Sequence, residues 1–182
     1  MVKSIACAFV GFLLAGAVSS AQAEEAKTLP LPQFGAIPDI PGAVNRPDPA
    51  LTYKLVFDVE AYSPSSEVHP ALKRIARYVN TFAQNGVPVQ KRQWAVVIHG
   101  PATPMVMNDA AYAGRTGAAS NPNTEVLKQL KAQGVEFHVC GQSTKGQNIT
   151  REMMAPEVTV DLASSTSLFN FQTRGYILVP EL

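Results

Sequence analysis

The sequence predicts an α/β fold: one three-layer domain built on a mostly parallel five-stranded sheet. Three observations lead there. Five short apolar runs alternate with stretches of helical period, and glycine or proline stands at most of the junctions. A chain of 182 residues that is 46% hydrophobic and 16% charged can bury one sizeable core but hardly two. Strand, helix and strand in succession force a right-handed crossover, so the alternation yields parallel neighbours with helices on both sides.

Residues 1–23 read as a secretory signal peptide. Lys3 opens a short positive region, Ile5 to Val18 is apolar, and Ala21-Gln22-Ala23 is a small-x-small cleavage site. Cys7 lies inside the apolar stretch and leaves with it, so the mature chain keeps one thiol, Cys140. No later segment offers the roughly 20 apolar residues that a bilayer requires. The expected product is periplasmic or secreted, with no membrane attachment after cleavage. Residues 24–52 form a Pro-rich arm, with Pro30, Pro32, Pro38, Pro41, Pro47 and Pro49. Proline fixes φ and removes a donor, so this segment is expected to be extended and neither helix nor sheet. Leu29, Leu31, Phe34, Ile37 and Ile40 make it sticky. It either packs along its own domain or crosses onto a neighbouring subunit.

The domain occupies residues 53–182. Tyr53 to Val59 is a first strand, apolar on both faces in its inner half, as buried parallel strands are. A helix follows from Pro70 to Gly86, with Leu72, Ile75, Ala76, Val79 and Phe82 on one stripe and Lys73, Arg74 and Arg77 off it. Trp94 to Ile98 is a second strand, ending at His99-Gly100-Pro101. Thr103 to Ser120 reads as a loop. Asn121 as cap and Pro122 at the first helical position open a helix through Val126, Leu127 and Leu130, which Gly134 ends. Val135 to Cys140 is a third strand and Gly141 begins the loop beyond it. Thr150 to Ala155 is a short helical piece, Val158 to Leu162 a fourth strand, and Ser164 or Ser165 caps a helix through Leu168, Phe169 and Gln172. Tyr176 to Val179 is the last strand.

Composition excludes several functions. With 15 Lys+Arg against 14 Asp+Glu the net charge is +1, without the basic surplus that nucleic-acid backbones select for. Gly141 to Gly146 has P-loop glycine spacing, yet Gln147 and Asn148 stand where Lys and Ser/Thr must meet phosphate and magnesium. Ser143 is in no Gly-x-Ser-x-Gly elbow and Gly114 to Gly117 is no dinucleotide fingerprint. No motif demands a cofactor.

Ligands of open α/β sheets gather at the carboxyl ends of strands. Asp58, His99 and Cys140 stand there, and period-two alternation puts His138, with Glu136 further back, on the face of Cys140. A lone thiol in an exported protein can neither pair internally nor rely on cytosolic reductants. Cys140 is therefore the candidate reactive residue, or else a buried small hydrophobe. Backbone N–H groups of Gly141, Gln142, Ser143 and Thr144 are placed to bind the substrate and to stabilise a thiolate or an outer persulfide sulfur. His99 is either a capping or core histidine or a base that lowers the thiol's pKa. His138 is expected to pack against a helix. A copper or zinc site from His99, His138 and Cys140 is a weaker alternative, because no Cys-x-x-Cys or His-x-x-x-His spacing supports it.

Gly134 to Ser143 (Gly-Val-Glu-Phe-His-Val-Cys-Gly-Gln-Ser) resembles the cysteine segment of DsrE/DsrF-like proteins. Val97 to Ala102, Asn121-Pro122, the Leu-rich helix before Gly134 and the ending Phe171 to Tyr176 are similar to exported members in the same order. The resemblance implies a compact parallel α/β fold, assembly as homo-trimers or hexamers, and a cysteine, here Cys140, that carries sulfane sulfur between a donor and an acceptor. It also leaves room for an oligomeric binding or assembly module that kept the fold and lost the chemistry.

Overall fold

A computed structural model of the chain describes residues 28–61 and 66–180. The proposed leader, with Cys7, lies outside the described residues. Strands β1 (Tyr53–Val59), β2 (Arg92–Ile98), β3 (Val135–Cys140), β4 (Val158–Asp161) and β5 (Ile177–Val179) form one sheet in the order β4-β3-β2-β1-β5. Every pairing is parallel, so the expected mostly parallel sheet is wholly so. Helices α1 (Pro70–Gln84), α2 (Asp109–Thr116), α3 (Thr124–Ala132), α4 (Gly141–Gly146) and α5 (Ser164–Thr173) fill the connections.

The two faces divide cleanly. Phe57, Val59, Trp94, Val96, Ile98, Val135, Phe137 and Val139 point to one side and meet Leu72, Ile75 and Val79 of α1 and Val126, Leu127 and Leu130 of α3. On the other side Val56, Ala95 and Val97 meet Phe171 of α5, with Leu168 and Tyr176 beside it. The strand alternation predicted from sequence is the alternation found.

Several local expectations need correction. Thr103 to Ser120 is not a loop throughout: Gly100–Val106 is a 3-10 segment and α2 follows, with Asn108 accepting from the Ala111 N–H as its cap. A short helix with Tyr112 as its buried residue carries no apolar stripe, so period analysis passes over it. Asn121 does not cap α3, which starts at Thr124. Its buried amide instead accepts from Asn123 and donates to the carbonyls of Met105 and Met107. Ser164 and Ser165 are not caps either: Ala163 stands at that position and Ser164 is the first helical residue.

The arm contains a 3-10 turn, Pro32–Phe34, and docks on its own domain. Leu31 is fully buried in the α1 core, and Asn80 of α1 accepts its N–H at 2.8 Å while donating to the carbonyls of Leu31 and Gly35. Thr81 accepts the Ile37 N–H at 2.8 Å. Prolines deprive the arm of ladder hydrogen bonds, and two side chains of α1 supply replacements. His69, unassigned by the sequence reading, is buried: its Nδ1 accepts the Ala71 N–H and its Nε2 lies 2.8 Å from the Ala61 carbonyl, so it caps α1.

Candidate functional site

Connections leaving the sheet decide where a ligand can reach it. The β3-to-β4 connection buries Ile149, Met154 and Ala155 in the α1/α3 cluster. The β4-to-β5 connection, α5, packs on the opposite face. Adjacent strands whose crossovers depart to opposite sides leave a crevice at their carboxyl ends, the topological switch point of an open sheet. Here that crevice lies between β3 and β4. Cys140 ends β3 and Asp161, its register partner, ends β4.

Gly141 closes the crevice at its base. A Cβ there would stand 2.6 Å from the Asp161 carbonyl oxygen, so only glycine lets α4 start so close to β4. The residues after Cys140 begin α4 directly and not the expected loop. Thr144 is buried, its hydroxyl donating to the Gly141 carbonyl at 3.0 Å, and Gln142 Nε2 donates to the Leu162 carbonyl at 3.1 Å. Gly141 and Thr144 therefore shape the turn, whereas the backbone N–H groups of Gln142 and Ser143 act to lower the pKa of the thiol.

Cys140 is a free thiol, 5% exposed. Burial by itself pushes its pKa up. Against this act the Ser143 hydroxyl and the backbone N–H groups of Ser143, Ser164 and Gln142, and the balance lowers the thiol from 9.0 to about 7. Donors thus come from both helices flanking the crevice, α4 and α5. Ser143 Oγ accepts the Gly100 N–H at 3.0 Å, which leaves its own hydrogen free for the sulfur. Gly100 has φ +52°, and its carbonyl accepts from Gln147 Nε2 and Thr103 Oγ1, both at 2.8 Å.

His99, the first residue after β2, faces carboxylates: Nε2 is 2.8 Å from Asp58 Oδ1 and Nδ1 3.9 Å from Glu60 Oε1. No histidine is among the groups that lower the thiol. The connection of His99 to the sulfur runs through the next peptide, Gly100, and then Ser143. His138 packs on α5 as expected, its ring 5.1 Å from that of Phe171 and nearly perpendicular to it. Its Nδ1 is 3.0 Å from Asp161 Oδ2 and its Nε2 3.5 Å from Glu136 Oε2. An open cavity of about 520 Å³ runs beside it between β4 and α5, with Phe169 and Arg174 on its walls. Among the described residues no three of His, Cys, Asp and Glu converge as metal ligands, so His99, His138 and Cys140 do not form the alternative metal site.

Two site residues escaped the sequence reading. Ser164 read as a helix cap and Asp161 as a strand residue, although both reach the crevice of Cys140. The available signal was that Asp161 ends β4 and Ser164 follows it by three residues. Strand register, which brings β4 beside β3, is not written in either segment.

Fold and site together define a parallel α/β domain that presents one acidified thiol at its switch point. The chain belongs to the DsrE/DsrF-like family, whose model matches residues 54–180. The arm lies outside that match. Among solved structures the chain is similar to the protein of unknown function MTH1491 from Methanobacterium thermoautotrophicum, at 19% identity and TM-score 0.49, covering 70% of this chain and 98% of that one. It is also similar to the ychN protein from E. coli, at 16% identity and TM-score 0.45, covering 72% and 100% respectively. No curated protein matches.

Proposed function

We propose that this protein is a periplasmic sulfur carrier that holds sulfane sulfur as a persulfide on Cys140. Family membership supports a sulfur-relay type of function, and the leader read in residues 1–23 supports export. The observation that carries the reading is one thiol at the switch point, at the end of β3 with the starts of α4 and α5 beside it, whose pKa the Ser143 hydroxyl and the N–H groups of Ser143, Ser164 and Gln142 bring down to about 7. A thiol with pKa about 7 is substantially ionised at neutral pH while remaining a good nucleophile.

In the first step the Cys140 thiolate attacks the outer sulfur of a donor persulfide, R–S–SH. A Cys140 Sγ–S bond forms, the donor S–S bond breaks, and the electron pair leaves on the donor thiolate. An acceptor thiolate then attacks the outer sulfur and releases the Cys140 thiolate. Sulfur is transferred with no net oxidation. The N–H groups of Gln142, Ser143 and Ser164 hold the negative charge before, during and after transfer. His99, fixed by Asp58, keeps the Gly100 peptide in place for Ser143. The partners in this reading are a sulfane-sulfur donor and an acceptor thiol, and exposed Leu162 just after β4, Phe169 on α5 and Ile177 on β5 support homo-oligomer assembly.

Intact-mass analysis after incubation with polysulfide tests the proposal. The expected result is an addition of about 32 Da, one sulfur, which Cys140→Ser abolishes. An unchanged mass in the native protein would overturn the carrier role and leave the assembly module. Iodoacetamide modification should accelerate as pH rises, with a midpoint of about 7, because the reactive form is the thiolate.

A further inference from the structure

One donor to the sulfur comes from a different part of the chain than the rest. Gln142 and Ser143 follow Cys140 directly, so their N–H groups are fixed by the start of α4. Ser164 is brought beside Cys140 by register: Asp161, which ends β4, pairs with Cys140, and only the Leu162-Ala163 turn separates it from the start of α5, whose Ser164 N–H is among the groups that lower the thiol. Its placement depends on how firmly α5 is seated.

Apolar packing gives α5 little hold. Ser167 and Phe171 are its buried residues, and the cluster beneath it offers three buried partners, Val56, Ala95 and Val97. Ala163 at the cap position brings no side-chain hydrogen bond. The polar hold is concentrated on one carboxylate. Asp161 Oδ2 accepts from Ser167 Oγ at 2.6 Å and lies 3.0 Å from His138 Nδ1. His138 stands on β3, two residues before Cys140, and its ring braces Phe171 of the same helix. Thus a single oxygen, on the register partner of Cys140, joins β3, β4 and α5. The Asp161 carbonyl is the atom that Gly141 approaches so closely, which locks the other side of the crevice to the same residue.

We propose that Asp161 is a positioning residue for Cys140, its carboxylate tying α5 to β3 through Ser167 and His138 so that the β4–α5 turn keeps the Ser164 N–H over the sulfur. The proposal deepens the sulfur-carrier reading and rests on it for its purpose. Two effects of Asp161 on the thiol have opposite signs. As a nearby negative charge, alongside Glu136 and with His138 between them, it disfavours a thiolate. As a clamp it holds a donor that favours one. The sign of the change on its removal tells which effect governs.

The test is the pH profile of iodoacetamide modification at Cys140 in the full chain, with Asp161→Ala, Ser167→Ala and Asp161→Asn compared. Asp161→Ala is expected to move the midpoint up by about one unit, a tenfold smaller thiolate fraction well below the midpoint. Ser167→Ala keeps the charge and the strand, and is expected to move the midpoint in the same direction by less. Asp161→Asn keeps an acceptor for Ser167 and is expected to stay at or below the wild-type midpoint. Midpoints unmoved or lowered in Asp161→Ala and Ser167→Ala overturn the proposal, even where the melting temperature falls. Should Asp161→Ala fail to fold, Ser167→Ala decides alone. Sulfur loading of the wild type is scored separately. Loading with unmoved midpoints sinks only the positioning role, whereas shifted midpoints without loading sink only the carrier reading.

Discussion

On one face of the sheet α1, α3 and the segments after β2 and β3 enclose the large aromatic and aliphatic cluster, and the arm adds Leu31 to it from outside. On the other face, among the described residues, α5 covers Val56, Ala95 and Val97, and toward β4 stand the polar Glu136, His138 and Asp161, with Cys140 at the rim. Burial is what stabilises a small domain, and the first face supplies most of it. The second face is thin enough for polar side chains to reach the sheet. The main core and the candidate site are thereby separated across one layer of backbone, and substitutions on the two sides should read out differently.

The largest expected effect contrasts two phenylalanines. Phe137→Ala on the enclosed face should cost about 3–5 kcal/mol in chemical denaturation, because rigid neighbours cannot collapse into the cavity. Phe171→Ala on the thin face should fall near the bottom of that range, about 3 kcal/mol, and should raise the alkylation midpoint of Cys140, since it loosens α5. Equal costs with no difference at the thiol would erase the distinction between the faces.

A smaller effect is expected from Asn80→Ala. It leaves the buried Leu31 N–H and the Leu31 carbonyl without their partner, for about 1–3 kcal/mol. Limited proteolysis should then cut the arm between Gly35 and Leu51 faster than in the wild type, while the thiol midpoint stays in place. A shift of that midpoint would mean that the arm communicates with the crevice. Smallest of all is Phe169→Ser. That side chain is 65% exposed, so equilibrium unfolding of the monomer should change by no more than about 0.5 kcal/mol. A larger loss would place Phe169 in an interface and give the thin face a second covering.

Much of the fold was legible because period and punctuation are local. The stripe of α1 and the apolar runs of β1, β2 and β3 each announce themselves within ten residues, and their bounds are close to those found. Helix α2 was not, because an Ala- and Gly-containing segment with little buried surface has no period to detect. The misplaced caps share a cause. Asn121 and Ser164 have the residue types that cap helices, but Asn121 is drawn to the carbonyls of Met105 and Met107 and Ser164 is carried to the sulfur, both by tertiary partners. Cys140 and the residues beside it were legible as a candidate site because a thiol at a strand end is a local fact. His99 was equally visible, yet its nitrogens turned to Asp58 and Glu60.

The sequence by itself determined that strands and helices alternate, which residues of each strand share a face, and that one thiol stands at the end of the third. Those follow from chain-local sterics and from alternation along an extended backbone. Only the tertiary structure decided that β4 lies next to β3, that α5 leaves toward the opposite face, and that Ser164 and Asp161 therefore meet Cys140. Register and crossover direction are settled by which faces must be buried against which helices, and that is a property of the whole packed chain rather than of any segment in it.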